Sequence, residues 1–193
     1  SREAEKEVGV STRTVLSSED IDRAVTRIAH EILEANTAMQ KSGTKNLIIL
    51  GIPTRGVWLA ERIAAVISKA EPDADMANIL GRLDITMYRD DLTTNPTRTI
   101  TETQIPKQGI DDKVVVLVDD VLFSGRTIRA ALDALGEYGR PRAVKLAVLV
   151  DRGHRELPIR ADFVGKNLPT AREERINVNL SETDSQNAVV IES

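Results

Sequence analysis

The segment of residues 115–127 constrains the fold of this chain more than any other, and it reads Val-Val-Leu-Val-Asp-Asp-Val-Leu-Phe-Ser-Gly-Arg-Thr. Its start predicts a buried strand that delivers two adjacent acids, Asp119 and Asp120, to the edge of a sheet. A loop at Gly125 then opens a helix, whose first backbone N–H groups and positive dipole end suit a phosphate. The acids suit a neighbouring sugar diol and a magnesium ion. The segment therefore indicates a binding site for a phosphoribosyl group. The alternative interpretation is a buried strand followed by an ordinary acidic turn and a capped helix.

Short apolar runs alternate with helical patterns along most of the chain. Strands are predicted at residues 46–50, 80–87, 114–118, 143–150 and, at the end, around Val178 and residues 189–191. Helices are predicted from the capping sequence at residues 17–20 onward, at 57–69 and at 127–138. Residues 151–170 resemble a charged loop. This alternation predicts an α/β fold with a mostly parallel sheet flanked by helices, and ligands that bind beyond the carboxyl ends of its strands.

Length and composition limit the possible organisation. The 193 residues suffice for one domain and are marginal for two, so we expect a polar N-terminal arm at residues 1–16 and a single domain at 17–193. The absence of cysteine excludes disulfides and a cysteine nucleophile. Without a membrane-length apolar run or a signal-peptide pattern, we expect a cytoplasmic protein with no membrane partner. The net charge of −4 argues against a surface coated by nucleic acid, although it permits one basic face.

Two further loops suit a pyrophosphate. Residues 51–56, Gly-Ile-Pro-Thr-Arg-Gly, form a glycine-bracketed turn that can point backbone N–H groups at an anion, and Arg55 can fork onto phosphate oxygens. The alternative is a structural turn with a surface arginine. Tyr-Arg-Asp-Asp-Leu at 88–92 begins a long polar stretch that reaches residue 109, and loops of this length are usually functional or disordered.

Residues 115–127 closely resemble the signature of type I phosphoribosyltransferases, which bind 5-phosphoribosyl-1-pyrophosphate (PRPP). The resemblance implies a type I phosphoribosyltransferase fold, with Asp119 and Asp120 at the ribose hydroxyls. It implies PRPP contacts and catalysis by Asp119, Asp120, Val121, Leu122, Phe123, Ser124, Gly125, Arg126 and Thr127. It also implies pyrophosphate contacts at Thr54, Arg55 and Arg89, a strained peptide bond between Thr54 and Arg55, and a lid at residues 88–92. Purine enzymes usually carry an acid where this chain has Phe123, which argues against hypoxanthine or guanine as the substrate.

Several segments together are similar to one family, the pyrimidine operon regulator PyrR: residues 26–30, 51–56, 84–91, 114–129, 139–141, 151–162 and 164–169. The resemblance implies that uracil and PRPP give UMP and pyrophosphate. Mg²⁺ would bind with PRPP near Asp119 and Asp120, with no dedicated protein site. The resemblance also implies a small hood at about residues 160–193, base contacts at Arg152, Val164 and Gly165, and a homodimer or higher homo-oligomer. We find no side-chain general base for uracil.

The same family regulates pyrimidine biosynthesis genes by binding the operon mRNA leader when UMP or UTP is bound. Thr26, Arg27 and His30 can share one helix face, since residues three and four apart align. Together with Arg155, Arg160 and Lys166 they would form a local basic patch for RNA. A solvated helix face is the alternative. Two other functions stay open: a non-catalytic nucleotide-sensing regulator, and a transferase for another base. The paired acids, Arg55 and the lid favour retained catalysis.

Overall fold

The structure is a computed structural model that describes residues 9–40, 43–90 and 102–193. Its strands and helices are, in chain order, β1 (Thr12–Leu16), α1 (Ser18–Gln40), β2 (Leu47–Gly51), α2 (Arg55–Ala70), β3 (Leu80–Arg82), β4 (Val114–Leu122), α3 (Arg126–Leu135), β5 (Ala143–Asp151), β6 (Phe163–Asn167), β7 (Arg175–Asn179) and β8 (Ala188–Glu192). Short 3-10 turns cover Met76–Asn78 and Thr86–Tyr88.

A five-stranded sheet in the order β3-β2-β4-β5-β6 forms the centre of the molecule, and all its pairings are parallel. Alternate residues of β4 face opposite sides, as the two-residue period of a strand requires. Val116 and Val118 pack with the apolar residues of α1 and α2, whereas Val115 and Leu117 pack with those of α3. The predicted α/β architecture, a parallel sheet between helical layers, is confirmed.

Helix α1 begins where the sequence predicts. The hydroxyl of Ser17 accepts a hydrogen bond from the Asp20 backbone N–H at 3.2 Å, and the Asp20 carboxylate accepts one from the Ser17 N–H at 2.9 Å. This reciprocal cap satisfies N–H groups that have no partner within the helix. The predicted apolar stripe is buried, namely Ile21, Val25, Ile28 and Ile32. The helix therefore covers the sheet with the face that its sequence pattern indicates.

Several element boundaries differ from the predictions. The strand predicted at 80–87 stops at Arg82, because the Asp84 carboxylate accepts hydrogen bonds from the backbone N–H and hydroxyl of Thr86 and supports a turn. Helix α2 begins at Arg55 rather than at residue 57, and α3 covers Arg126–Leu135 rather than 127–138. Strand β4 continues through both acids to Leu122, where it remains paired with β5.

A smaller antiparallel sheet, in the order β1-β8-β7, joins the two ends of the chain. Its strand β1 lies inside the segment predicted as a polar arm, of which residues 1–8 are outside the described ranges. The segment 151–170, predicted as a loop, contains β6, which pairs with β5 in the large sheet. Strands β7 and β8 lie within residues 160–193, the segment predicted as a hood, and β1 joins them in the small sheet. No helix within the described ranges is long and apolar enough to cross a membrane.

Candidate active site

The two acids occupy different environments near the carboxyl end of β4. Asp119 is 8% exposed, and its carboxylate accepts a hydrogen bond from the Asp120 backbone N–H at 2.8 Å. Asp120 is half-buried and accepts one from the Val121 N–H at 2.8 Å. Burial, followed by the negative charge of Asp120, raises the pKa of Asp119 well above its ordinary value, although the positive charge of Arg89 acts in the opposite direction. The pair therefore presents one carboxyl group that resists ionisation beside a more accessible carboxylate.

The loop after β4 has the shape expected of a phosphate site. Gly125 has φ of 93°, which favours glycine, and a Cβ atom there would lie only 3.0 Å from the side chain of Ile159. Helix α3 starts at the next residue, so its first N–H groups open towards the loop. The Ser124 hydroxyl accepts a hydrogen bond from the Arg126 N–H at 3.3 Å. A cleft of about 230 Å³ lies here, lined by Arg89, Asp90 and residues 121–128.

A second segment, residues 153–159, supports this loop from behind. The backbone N–H groups of Glu156 and Leu157 both donate to the Ser124 carbonyl, at 2.9 and 3.1 Å. The guanidinium of Arg155 donates to the Phe123 carbonyl at 2.8 Å and to the Asp151 carboxylate at 2.7 Å. It also donates to the Ile159 carbonyl at 2.9 Å. Arg155, predicted as an RNA contact, thus has its guanidinium against the phosphate loop.

The ring of Phe123 packs against the side chains of Arg152 and His154. The guanidinium carbon of Arg152 lies 4.3 Å from the ring centroid, and His154 meets the ring edge-on at 6.0 Å. Arg152 is 7% exposed and donates to the Thr170 hydroxyl at 3.1 Å and the Ala171 carbonyl at 3.0 Å. Burial lowers the pKa of Arg152. Arg152, predicted as a base contact, therefore fixes Phe123 and residues 170–172.

The predicted pyrophosphate residues do meet the paired acids. A second cleft, of about 370 Å³, is lined by residues 52–55 and by Arg89, Asp119, Asp120, Val121 and Thr127. The loop approaches β4 closely, because a Cβ atom on Gly56 would lie 2.4 Å from the Val118 carbonyl oxygen. The bond that the structure holds in the cis form joins Pro53 to Thr54, one residue before the strained bond predicted between Thr54 and Arg55.

The described part of the predicted lid reaches the phosphate loop. Arg89 lines both clefts, and the Asp90 carboxylate forms an ion pair with Arg126 at 2.9 Å. A hydrogen bond with Glu137 raises the pKa of Tyr88 to about 12 and connects the start of this segment to the turn that follows α3. Residues 91 and 92 of the predicted lid lie outside the described ranges.

The structure does not bring Val164 and Gly165, the predicted base contacts, to these clefts. Both lie on β6, where their carbonyls accept hydrogen bonds from Arg27 of α1 at 3.1 and 2.5 Å. A third cleft, of about 290 Å³, instead adjoins Asp120 and Arg55 and is lined by the small sheet, through Ile176, Asn177, Val178, Asn179, Val190 and Glu192. No motif in the sequence singles out these residues, although the alternation of asparagine with apolar residues in β7 indicates one polar strand face.

The predicted RNA residues are only partly brought together. Thr26, Arg27 and His30 are exposed on α1, and a shallow groove there is lined by Thr26, Arg27, Gly165 and Lys166 together with the acids Asp20 and Asp22. Arg160 is exposed on the loop before β6. The groove thus contains both signs of charge, and Arg155 lies apart from it on the phosphate loop.

This arrangement defines a class of protein. Paired acids on a central parallel strand, a helix N-terminus after them and an arginine-bearing loop beside them are the parts of a phosphoribosyltransferase site, and a model of the phosphoribosyl transferase domain family matches residues 11–182. Two solved structures have a similar fold. A hypoxanthine phosphoribosyltransferase from Staphylococcus aureus has a TM-score of 0.64 at 18% identity and covers 92% of this chain and 90% of its own. That of Trypanosoma cruzi has a TM-score of 0.67 at 15% identity, covering 93% and 90%.

Closer relatives narrow the class. The bifunctional protein PyrR of Leifsonia xyli subsp. xyli is 66% identical over 183 residues, which cover 94% of this chain and 97% of the relative. That of Streptomyces coelicolor is 59% identical over 179 residues, covering 93% and 89%. That of Mycobacterium tuberculosis is 52% identical over 186 residues, covering 95% of both chains. The chain belongs to the PyrR family of phosphoribosyl transferase domain proteins, as its sequence resemblance predicted.

Proposed function

We propose that the protein transfers phosphoribose from PRPP to uracil and releases pyrophosphate. The observation that carries this proposal is that three clefts form one row along the carboxyl end of β4. The first and second share Arg89, Val121 and Thr127, and the second and third share Arg55 and Asp120. A row of this kind offers separate places for the 5-phosphate, for ribose with pyrophosphate, and for a base.

Each part of PRPP has matching residues in this row. The 5-phosphate would bind at the start of α3, on Ser124, Gly125, Arg126 and Thr127, because unpaired N–H groups and the helix dipole favour an anion there. The hydroxyls of the ribose diol would donate hydrogen bonds to the Asp120 carboxylate. They would also donate to Asp119 when that carboxyl group is ionised. Thr54, Arg55 and Arg89 would hold the pyrophosphate. As the bond from the anomeric carbon to pyrophosphate breaks, these arginines stabilise the charge that develops on the leaving group.

The residues present also fit a magnesium ion that arrives with PRPP. Among the described residues there is no cluster of three or more acids, histidines or cysteines that could enclose a metal. Magnesium commonly binds through one or two carboxylates together with substrate phosphates, and Asp119 and Asp120 can supply these carboxylates. When bound, the ion would neutralise charge on the pyrophosphate. The carboxylate of Asp120 would in turn stabilise positive charge on the ribosyl group during transfer, and closure of the predicted lid would exclude water.

The third cleft suits a small base with both donors and acceptors. Each of Asn177 and Asn179 carries an amide that can donate and accept, which matches the alternating carbonyl and N–H groups of uracil. Phe123 has no titratable group with which to assist proton transfer at a purine. The acceptor site therefore involves the small sheet, and Arg152 contributes indirectly by supporting Phe123.

The test of this proposal is UMP formation from uracil, PRPP and Mg²⁺, with adenine, hypoxanthine and orotate as competing acceptors. We expect turnover with uracil and a loss of at least about 100-fold in kcat/KM for Asp120→Ala, the scale for removal of a group that stabilises transition-state charge. Binding of PRPP or UMP by calorimetry without turnover at millimolar substrate would instead indicate a non-catalytic regulator. Faster turnover with another base would contradict the choice of uracil.

A second function, RNA binding, is favoured by the groove between α1 and β6. Thr26, Arg27 and Lys166 line it together, and His30 is exposed on the same helix. Cationic and hydroxyl groups at these positions suit phosphates of a folded RNA. The RNA would be the pyrimidine operon mRNA leader in the cytoplasm, bound when UMP or UTP occupies the transferase site. A homodimer or higher homo-oligomer would present more than one such groove to the RNA.

A further inference from the structure

Arg55, the proposed pyrophosphate arginine, is held by a residue from the small sheet. Its Nε and Nη2 atoms donate to the two carboxylate oxygens of Asp184, at 3.3 and 2.9 Å. The side chains of Arg55 and Asp184 are 35% and 20% exposed, so this bidentate pair is largely sheltered from water. Such a pair fixes the plane of the guanidinium as well as its position.

The orientation of the Asp184 side chain is also fixed by contacts other than its pair with Arg55. It lies in the loop between β7 and β8, where its carboxylate accepts hydrogen bonds from the Leu180 backbone N–H at 2.8 Å and the Thr183 hydroxyl at 3.3 Å. The Leu180 hydrogen bond and then Arg55 hold the pKa of Asp184 below its ordinary value. The group facing Arg55 is therefore a carboxylate of defined orientation.

The same loop has a separate anchor on α2. Arg62 follows Arg55 by seven residues, a spacing that places both side chains on one face of the helix. Arg62 forms an ion pair with Glu182 and donates to the Asn187 side chain at 2.6 Å. These contacts hold the loop on α2 without involving Arg55 or Asp184, and the Asn187 hydrogen bond does not depend on the charge of Glu182.

We infer that Asp184 is a positioning residue for pyrophosphate recognition. A guanidinium has five N–H donors in a rigid planar fork, and the carboxylate of Asp184 takes only one edge of it. The other edge, including both N–H groups of Nη1, can then be presented to pyrophosphate in the cleft that Arg55 lines with Asp119 and Asp120. This inference rests on the proposed function, because it assigns to Asp184 the orientation of an arginine that binds PRPP.

The experiment compares Asp184→Asn with Glu182→Gln, a matched carboxylate-to-amide change on the same loop that contacts Arg62 rather than Arg55. We expect Asp184→Asn to raise both the PRPP KM and the pyrophosphate inhibition constant about 3- to 10-fold, the cost of ordering one long side chain on binding. The uracil KM and kcat should stay within about twofold of wild type. Glu182→Gln should change none of these by more than about twofold, and Asp184→Glu should recover part of the loss.

A double-mutant cycle separates positioning from a general structural effect. In an Arg55→Ala background, Asp184→Asn should have no further effect on PRPP affinity measured by calorimetry, because the residue it positions is absent. Tighter pyrophosphate binding in Asp184→Asn would show a competing internal anion and would overturn the inference, as would wild-type affinity or an equal loss in the Arg55→Ala background. The proposed function fails separately, if the wild-type protein itself does not bind PRPP.

Discussion

At the scale of single residues, Asp119 and Asp120 are adjacent in sequence and yet differ in chemistry. Asp119 is buried and lines one cleft, whereas Asp120 is half-buried and lines two. The sequence predicts the pair and its ribose role from the pattern of strand, acids and glycine loop. It does not predict which acid is buried, because that depends on how the surrounding elements cover each face of β4.

We predict that Asp119→Asn stabilises the protein while it impairs PRPP use. The folded-state pKa of Asp119 is raised, so its ionisation costs folding free energy as the pH rises from the unfolded-state pKa, near 3.9, through the folded-state value. An amide avoids that cost and can still accept the Asp120 N–H. We expect a gain of about 1 kcal/mol in unfolding free energy at pH 7, measured by urea denaturation. The gain should shrink as the pH falls towards 4, and a gain independent of pH would exclude the buried carboxyl as its cause.

At the scale of elements, the segment 153–159 is a brace for the phosphate loop rather than an independent basic surface. Because Arg155, Arg160 and Lys166 are close in sequence, they predict one basic patch. A sequence shows which residues are charged but not where their side chains point. The fold sends these side chains to different places. Arg155 turns inward to carbonyls of the loop, Arg160 is exposed, and Lys166 lies on β6 beside α1.

We predict that Arg155→Ala raises the PRPP KM about 10-fold and lowers unfolding free energy by about 1–3 kcal/mol. The reason is that the partly buried carbonyls of Phe123 and Ile159 lose their donor and the Asp151 carboxylate loses its ion-pair partner. Steady-state kinetics and urea denaturation measure both effects. Arg160→Ala is the control, since it removes an exposed arginine from the same segment and should leave both quantities nearly unchanged. A PRPP KM equal to wild type in Arg155→Ala would contradict the bracing role.

For the whole molecule, the sequence predicts local features better than those that join distant segments. The strands at residues 46–50, 114–118 and 143–150 are apolar apart from Asn46 and Lys145, so their burial in a parallel sheet follows from composition. Strands β1 and β6 were missed because each is short and half-exposed, and their conformation depends on pairing with β8 and β5. The third cleft likewise joins distant segments, since residues of β7 and β8 line it together with Arg55 and Asp120.

The charge of the whole molecule limits the electrostatic part of the proposed RNA affinity. The protein carries a net charge of −4, and part of the cationic surface near α1 is already paired, as in Arg23 with Asp20 and Arg27 with Glu31. Only a few phosphates can then be neutralised, so we expect the logarithm of RNA affinity to fall with the logarithm of salt concentration with a slope of only about −1 to −3. Lys166→Ala should weaken binding and make that slope shallower by roughly 0.7 to 0.9. Filter binding over a salt series, with UMP present, measures the RNA affinity and its salt slope.

The control is Lys107→Ala, which removes an exposed lysine distant in sequence from the groove and should change neither the affinity nor the slope. An unchanged slope in Lys166→Ala would place the RNA on another surface, because the loss of a phosphate contact must reduce the number of counterions released on binding.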